Sequence, residues 1–369
     1  MASAARFFLK VYDLFGTKYR QTIPADLVLS VPRIIREINK PASDITVSLA
    51  LPWDQTGYLQ PHGLHLYDLV KVYAQNENYP SGTIVYQGFI TEIHTIFNEK
   101  QNITELRILP LESILNNAIF TGGNGGVNED ISVAMWAAIQ DCMTENGQSI
   151  FTNNLQAAGT VTLSASTNFQ THLQWINSYA SFMTDTWFWR VTELGRVDLL
   201  QYHDVTADHM FTIGGNVESI DLTQSILNMK NNTIVTWKNG LSTETDYYPN
   251  APSQGMYGHR DETIQDQSII YSLPMSVAVG NANTARKCLP RTQATMVINS
   301  KFAIETIRPG DTCEVVNNTN TVAQLMPSKT VYRICRTEYD GVTCKLTLID
   351  VVSNVGVELN KLVGNYTQL

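Results

Sequence analysis

A chain of 369 residues with 43% hydrophobic and 16% charged content is long enough for two or three packed cores and too apolar to stay disordered. A net charge of -9 without any run of Lys or Arg excludes a dedicated nucleic-acid binder, which neutralises phosphates with clustered cations. Lys10 and Asp13 interrupt the aromatic N-terminus and no stretch approaches about eighteen uninterrupted apolar residues, so neither a signal peptide nor a membrane span is read, and synthesis as a soluble cytoplasmic protein is expected.

In chain order, EINKPASDITVSLAL (37–51) reads as a strand. Residues 64–112 read as strand, polar loop, strand, polar turn and strand. His62 and His65 just before them have the spacing of two metal ligands but no third ligand tied to them by motif, so surface histidines are expected. Gly122-Gly123-Asn124-Gly125-Gly126 lacks the Lys-Ser/Thr ending of a phosphate loop and reads as a linker. The spacing of Ile131, Met135, Ala138, Ile139 and Cys142 predicts a helix over 127–143, with a cap among Asn128 to Asp130 and a stop at Gly147.

A second helix is predicted over NFQTHLQWINSYASFM, with Leu173, Ile176, Ala180 and Met183 as its apolar stripe. TWFWRVTELGRVDLLQY then reads as a hairpin turning near Gly195. Trp187 and Trp189 share one face of it and Phe188 takes the other; packing between a helix and a neighbouring domain is expected, with stacking on a sugar ring as the alternative. SVAVGNANTARKCL predicts a third helix ending before Pro290. In AIETIRPGDTCEVVNN, Pro309 can pre-set one turn angle, Gly310 can accept a positive φ, and a strand resumes after Asp311. Val342, Cys344, Leu346 and Leu348 alternate with polar neighbours as a half-buried strand does.

Residues 307–350 repeat the order of 64–112. Asp68 before Leu69-Val70-Lys71-Val72 matches Asp311 before Thr312-Cys313-Glu314-Val315, and Val85-Tyr86 matches Val331-Tyr332. Upstream, 37–51 is matched with SILNMKNNTIVTW (225–237), which puts about sixty inserted residues into the second copy. The expected fold is mainly β with α+β insertions: two related small antiparallel β-barrels plus an inserted α+β domain. The first barrel is expected over 1–112, the α+β domain over 113–206 with 240–300, the second barrel over 207–239 with 301–355, and a C-terminal tail over 356–369.

Chemistry is not legible in this pattern. Cys142, Cys288, Cys313, Cys335 and Cys344 form no C-x-x-C pair and are expected to be free, buried thiols. Neither G-x-S-x-G nor H-E-x-x-H occurs, so no catalytic residue, cofactor or metal is expected.

The order of the pieces resembles the tail hub proteins of tailed bacteriophages, including the hub region of tail-associated proteins. The segment 256–316, MYGHRDETIQ through RPGDTCEVV, is similar to that family's Tyr-Gly element, helix, strand and Pro-Gly-Asp strand start. The aromatic hairpin follows the helix containing Trp175 as it does there. The resemblance implies a homotrimer in which two barrels per subunit make a ring of six around a central channel, with the Pro309-Gly310-Asp311 turn re-entering the second barrel. It implies a non-enzymatic hub at the distal tail tip or baseplate of a virion, joined to a distal tail or tube protein and to a tip or spike protein. Tape-measure protein and DNA would pass through without stable nucleic-acid binding. A host-saccharide-binding or wall-degrading tail protein, and the hub of a related contractile injection system, are the alternatives. A lytic domain would be expected as a C-terminal extension, and the chain stops at Leu369 soon after the second barrel.

Overall fold

Alternation of apolar and polar side chains turns the N-terminal third into strands. In β1 (Arg6–Tyr12) Phe7, Leu9 and Val11 are buried while the residues between them stay partly exposed, the period of two of a sheet with one face on a core. The computed structural model describes residues 4–30, 33–50, 63–97, 102–120, 128–162, 170–180, 183, 187–202, 206–227, 229–239, 242–265, 273–288, 291–316 and 331–349. Within them β1, β2 (Tyr19–Ile23), β4 (Ile45–Leu49), β5 (Leu69–Gln75), β6 (Thr83–Phe97) and β7 (Asn102–Pro110) form a six-stranded sheet in the order β2-β1-β5-β6-β7-β4. Every pair in it is antiparallel. The intervening β3 (Ile34–Glu37) leaves this sheet for another.

The middle of the chain is mixed. β8 (Asn128–Asp130) pairs with β10 (Thr160–Thr162) and leads into α1 (Ile131–Glu145). The Asp130 carboxylate caps that helix by accepting the Ser132 N–H at 2.8 Å, and Ile131, Met135, Ala138, Ile139 and Cys142 are its buried stripe. α2 (His172–Ala180) packs on α1, burying Leu173 and Ile176. β11 (Trp187–Val191) and β12 (Arg196–Gln201) form the expected hairpin, and β9 (Thr152–Leu155) adds in parallel to β12. A hydrophobic core of α1, α2 and this hairpin also receives Val235 and Trp237.

A seven-stranded sheet fills the C-terminal part. It runs β13 (His209–Thr212), β19 (Thr312–Val316), β20 (Val331–Tyr339), β21 (Thr343–Ile349), β18 (Arg291–Asn299), β14 (Val217–Ser225), with β3 added to β20. One hydrophobic core is continuous between this sheet and the first, joining residues such as Val72 and Ile90 to Cys313 and Leu346. Cys344, Leu346 and Leu348 face that core as expected, whereas Val342 lies just before β21 and is exposed.

The match of 225–237 to 37–51 does not hold. β15 (Asn232–Asn239) pairs with β16 (Ser242–Pro249) and β17 (Asp261–Ile264) in a separate three-stranded sheet, with α3 (Ala251–Tyr257) between them in sequence and α4 (Leu273–Lys287) packed on β15 and β16. The strand that occupies the position of β4 is β18, since β4 is antiparallel to β7 as β18 is to β21. A period of two marks one buried face without saying which core it meets, and Val235 and Trp237 meet the helical one. Four of the five cysteines are buried and Cys335 is half-buried, all as free thiols. Among the described residues no helix is long and apolar enough to cross a membrane.

Candidate functional site

Two turns of one construction precede β5 and β19. The Asp68 and Asp311 N–H groups donate to the carbonyls of His65 and Arg308, 3.2 Å each. Their carboxylates accept the N–H of His65 and Arg308 at 2.9 Å in both turns. Tyr67 and Gly310 donate N–H to the carbonyls of Ile90 and Ile334 at 2.7 Å, and Ile90 and Ile334 donate back to Asp68 and Asp311 at 3.0 and 2.9 Å. Both turns need a positive φ, 66° at Tyr67 and 94° at Gly310. The pairing also slips at matching places, between Ile90 and Glu92 and between Ile334 and Arg336.

This register corrects one sequence match. Val70 faces Gly88, and Cys313, its equivalent, faces Tyr332, so Tyr332 corresponds to Gly88 and the pairing with Tyr86 is two residues out. A slip of two keeps every side chain on its face, which is why the apolar pattern concealed it.

The Pro309-Gly310-Asp311 turn lies against the aromatic hairpin. A Cβ on Gly310 would stand 2.1 Å from Phe188 Cε2, so the ring occupies the space that any other residue would need. Trp189, 1% exposed, is tied to the N-terminal part of the chain: its N–H donates to Asn39 Oδ1 at 2.8 Å and its carbonyl accepts the Asn39 N–H at 2.9 Å. It has no free face for a sugar ring. Trp187 is half-buried against the helical core.

A buried ionic network knits the same elements. Arg190 Nε lies 2.8 Å from Asp198 Oδ2, and its Nη1 lies 2.6 Å from Asp311 Oδ1 while also donating to the Pro309 carbonyl at 2.7 Å. Asp198 also accepts from Arg196 Nε at 2.7 Å and Asn154 Nδ2 at 2.6 Å. His209 Nε2 is 2.9 Å from Asp311 Oδ2, and Arg308 pairs with Glu193 through both oxygens. Burial alone would raise these carboxyls, but the His209 hydrogen bond and Arg190 charge hold Asp311 below the usual range. Arg196, Asn154 and Arg190 do the same for Asp198, and Arg308 for Glu193.

Arg36, Lys40, Glu112, Arg190, Glu193 and Arg308 line a crevice beside this network. Glu112 is shifted opposite to Glu193, because burial outweighs its hydrogen bonds and the Arg36 charge and pushes its pKa up to about 7. Its folded value lies above its unfolded one, so the stability linked to it is fully present below the unfolded value near 4.5 and is lost as pH rises through about 7. Thermal stability is therefore expected to fall between about pH 4.5 and 7, by on the order of 3 kcal/mol. Glu112→Gln should flatten that slope in melts across the window; an unchanged slope would contradict the assignment. The depressed carboxyls act oppositely, their contribution being present above their unfolded values and lost as pH falls through the folded ones.

His65 Nδ1 lies 3.4 Å from Asp68 Oδ2, while His62 and the Gly122 to Gly126 segment fall outside the described residues, as does the 356–369 tail. A different group converges instead: Asp141 and Glu145 of α1 and His172 of α2 bring one ligand atom each within 4.8 Å of one another. Sequence reading missed it because only the i, i+4 carboxylate pair is local; the imidazole comes from another helix. Burial raises the Cys142 thiol to about 12 and Cys313 and Cys344 higher still, so these sulfurs stay protonated. What the junction does chemically is hold the hairpin, the β19 turn, β13 and the Asn39 segment in one fixed arrangement.

No family profile and no curated protein matches the sequence. Solved structures do. A tail protein from Neisseria meningitidis is 13% identical, with a TM-score of 0.63 over 94% of this chain and 97% of that one. The 43 kDa tail protein of prophage MuSo2 from Shewanella oneidensis is 8% identical, with a TM-score of 0.64 over 95% and 99%. Prophage tail protein gp18 from Listeria monocytogenes is 10% identical, with a TM-score of 0.54 over 97% and 99%. At such identities the likeness is one of fold, and along nearly its whole length this chain has the fold of bacterial and prophage tail proteins, as the sequence resemblance implied.

Proposed function

We propose that the protein is a structural hub of a phage tail tip or baseplate. In this reading the six-stranded and seven-stranded sheets are the walls of two related barrels, and the helices, the aromatic hairpin and the β15–β17 sheet form the inserted domain. Three subunits then place six barrels in a ring around a channel that joins the tail tube to the distal tip and lets tape-measure protein and DNA pass. The observation that carries the reading is the duplicated turn at Asp68 and Asp311 with its matching hydrogen bonds, because two equivalent units per chain are what a three-chain ring needs to present six similar positions. The overall fold supports the tail location.

The work of such a hub is to bind neighbours by surface complementarity, and no bond-making step is assigned to it. The acidic balance of -9 suits a channel that must release DNA. The buried ionic junction fits this role too, since a ring subunit under axial load needs its inserted domain fixed to its barrels. Light scattering of the purified protein over a range of concentrations tests the assembly. Three chains of 41.2 kDa, 3 × 41.2 = 123.6 kDa, is the mass expected. A monomer that persists at every concentration would contradict it.

A further inference from the structure

We propose that Asp141, Glu145 and His172 form a binding site for a divalent transition-metal ion, with Zn2+ as the best-fitting type, that clamps α2 to the C-terminal end of α1. His172 is fully buried, and its Nδ1 lies 3.2 Å from the Ala118 carbonyl, which can only accept, so Nδ1 carries a proton. Nε2 therefore points a lone pair toward the carboxylates unless a second proton sits on it. Asp141 Oδ2 is 3.1 Å away and Glu145 Oε2 is 3.8 Å away.

A proton on Nε2 serves Asp141 alone, because 3.8 Å is beyond hydrogen-bond reach for Glu145. A metal ion serves all three. Zinc holds N and O ligands at about 2.0–2.1 Å, which makes the edge of its tetrahedron about 3.4 Å, and the two observed separations bracket that edge. The carbonyl bond to Nδ1 fixes the tautomer and ring direction as the outer partners of metal-bound histidines do.

Two further features agree. The carboxylates are each about one-third exposed, at 34% and 35%, so an ion can enter from solvent and complete its shell with water. Glu145 is the last residue of α1, where the helix carbonyls add negative potential. An imidazole donor beside two carboxylates selects zinc-like ions over magnesium or calcium, which prefer all-oxygen shells. The site rests on different residues from the hub reading and does not depend on it.

The test is calorimetric titration of chelator-treated full-length protein with ZnCl2, with MgCl2 as comparator, alongside thermal melts. One Zn2+ per chain and a raised melting temperature are expected, with neither effect from Mg2+. The half-exposed pair Asp141→Asn with Glu145→Gln should fold normally by circular dichroism and bind Zn2+ at least tenfold more weakly. The proposal is overturned if Zn2+ gives no binding heat and no stabilisation, or if the double variant binds it as the wild type does. A His172 ring found doubly protonated by NMR and unaffected by Zn2+ would assign the group as an ion pair and also overturn it.

Discussion

Gly310→Val is expected to destabilise the protein by about 2 to 6 kcal/mol, the sum of two costs of about 1 to 3 kcal/mol each. One is backbone strain, because φ at Gly310 is 94° and a β-branched residue is disfavoured there. The other is steric, because the new Cβ falls 2.1 Å from Phe188 Cε2 and the ring is itself packed against Tyr202. Denaturant unfolding should show a lower midpoint with an unchanged slope. Gly310→Ala should lie close to the valine variant, since both costs begin at Cβ. A wild-type midpoint in either variant would show that the ring and the turn do not meet as described.

Arg190→Met should cost a similar amount, about 3–5 kcal/mol, because it removes the shared partner of two buried carboxylates. Asp198 keeps Arg196 and Asn154, and Asp311 keeps His209, so Asp311 is the more exposed to the loss. Adding Asp311→Asn to Arg190→Met should then recover part of the stability, as a double-mutant cycle would measure. Strict additivity of the two changes would mean that the pair is not coupled. Loss of less than about 1 kcal/mol in Arg190→Met would mean that the network contributes no more than a surface pair.

The contrast between these two sites shows what a sequence exposes. The Pro309-Gly310 turn, the Asp130 cap, the α1 stripe and the hairpin at Gly195 are local: each rests on residue types at short spacings whose backbone preferences act alone. The duplicated aspartates were legible for the same reason. Tyr67 was not, because a tyrosine with φ of 66° carries no glycine to announce it. The two-residue slip between Tyr86 and Tyr332, and the placing of β15 rather than β18 beside the helical core, escaped a pattern that reports faces and not partners.

The departure of β3 to pair with β20 is likewise a long-range choice. Arg190, Asp198 and Asp311, and His172 with Asp141 and Glu145, were illegible for a related reason. Arg190 and Asp198 face each other across the hairpin and Asp141 and Glu145 share a helix face, but Asp311 and His172 arrive from other segments and leave no period behind, so only the fold completes either group. The Trp187 and Trp189 pair was readable as an aromatic cluster, but that Trp189 is sealed into the helical core while Trp187 stays half-buried is set by the tertiary packing.

The hub reading is tested most directly by electron cryo-microscopy of the purified protein, alone and mixed with its neighbouring tail proteins. Three-fold rings around an open channel are expected, in which the Asp68 and Asp311 units alternate as six near-equivalent positions. Particles that average only as monomers under both conditions, or rings in which the two units occupy unrelated positions, would contradict it.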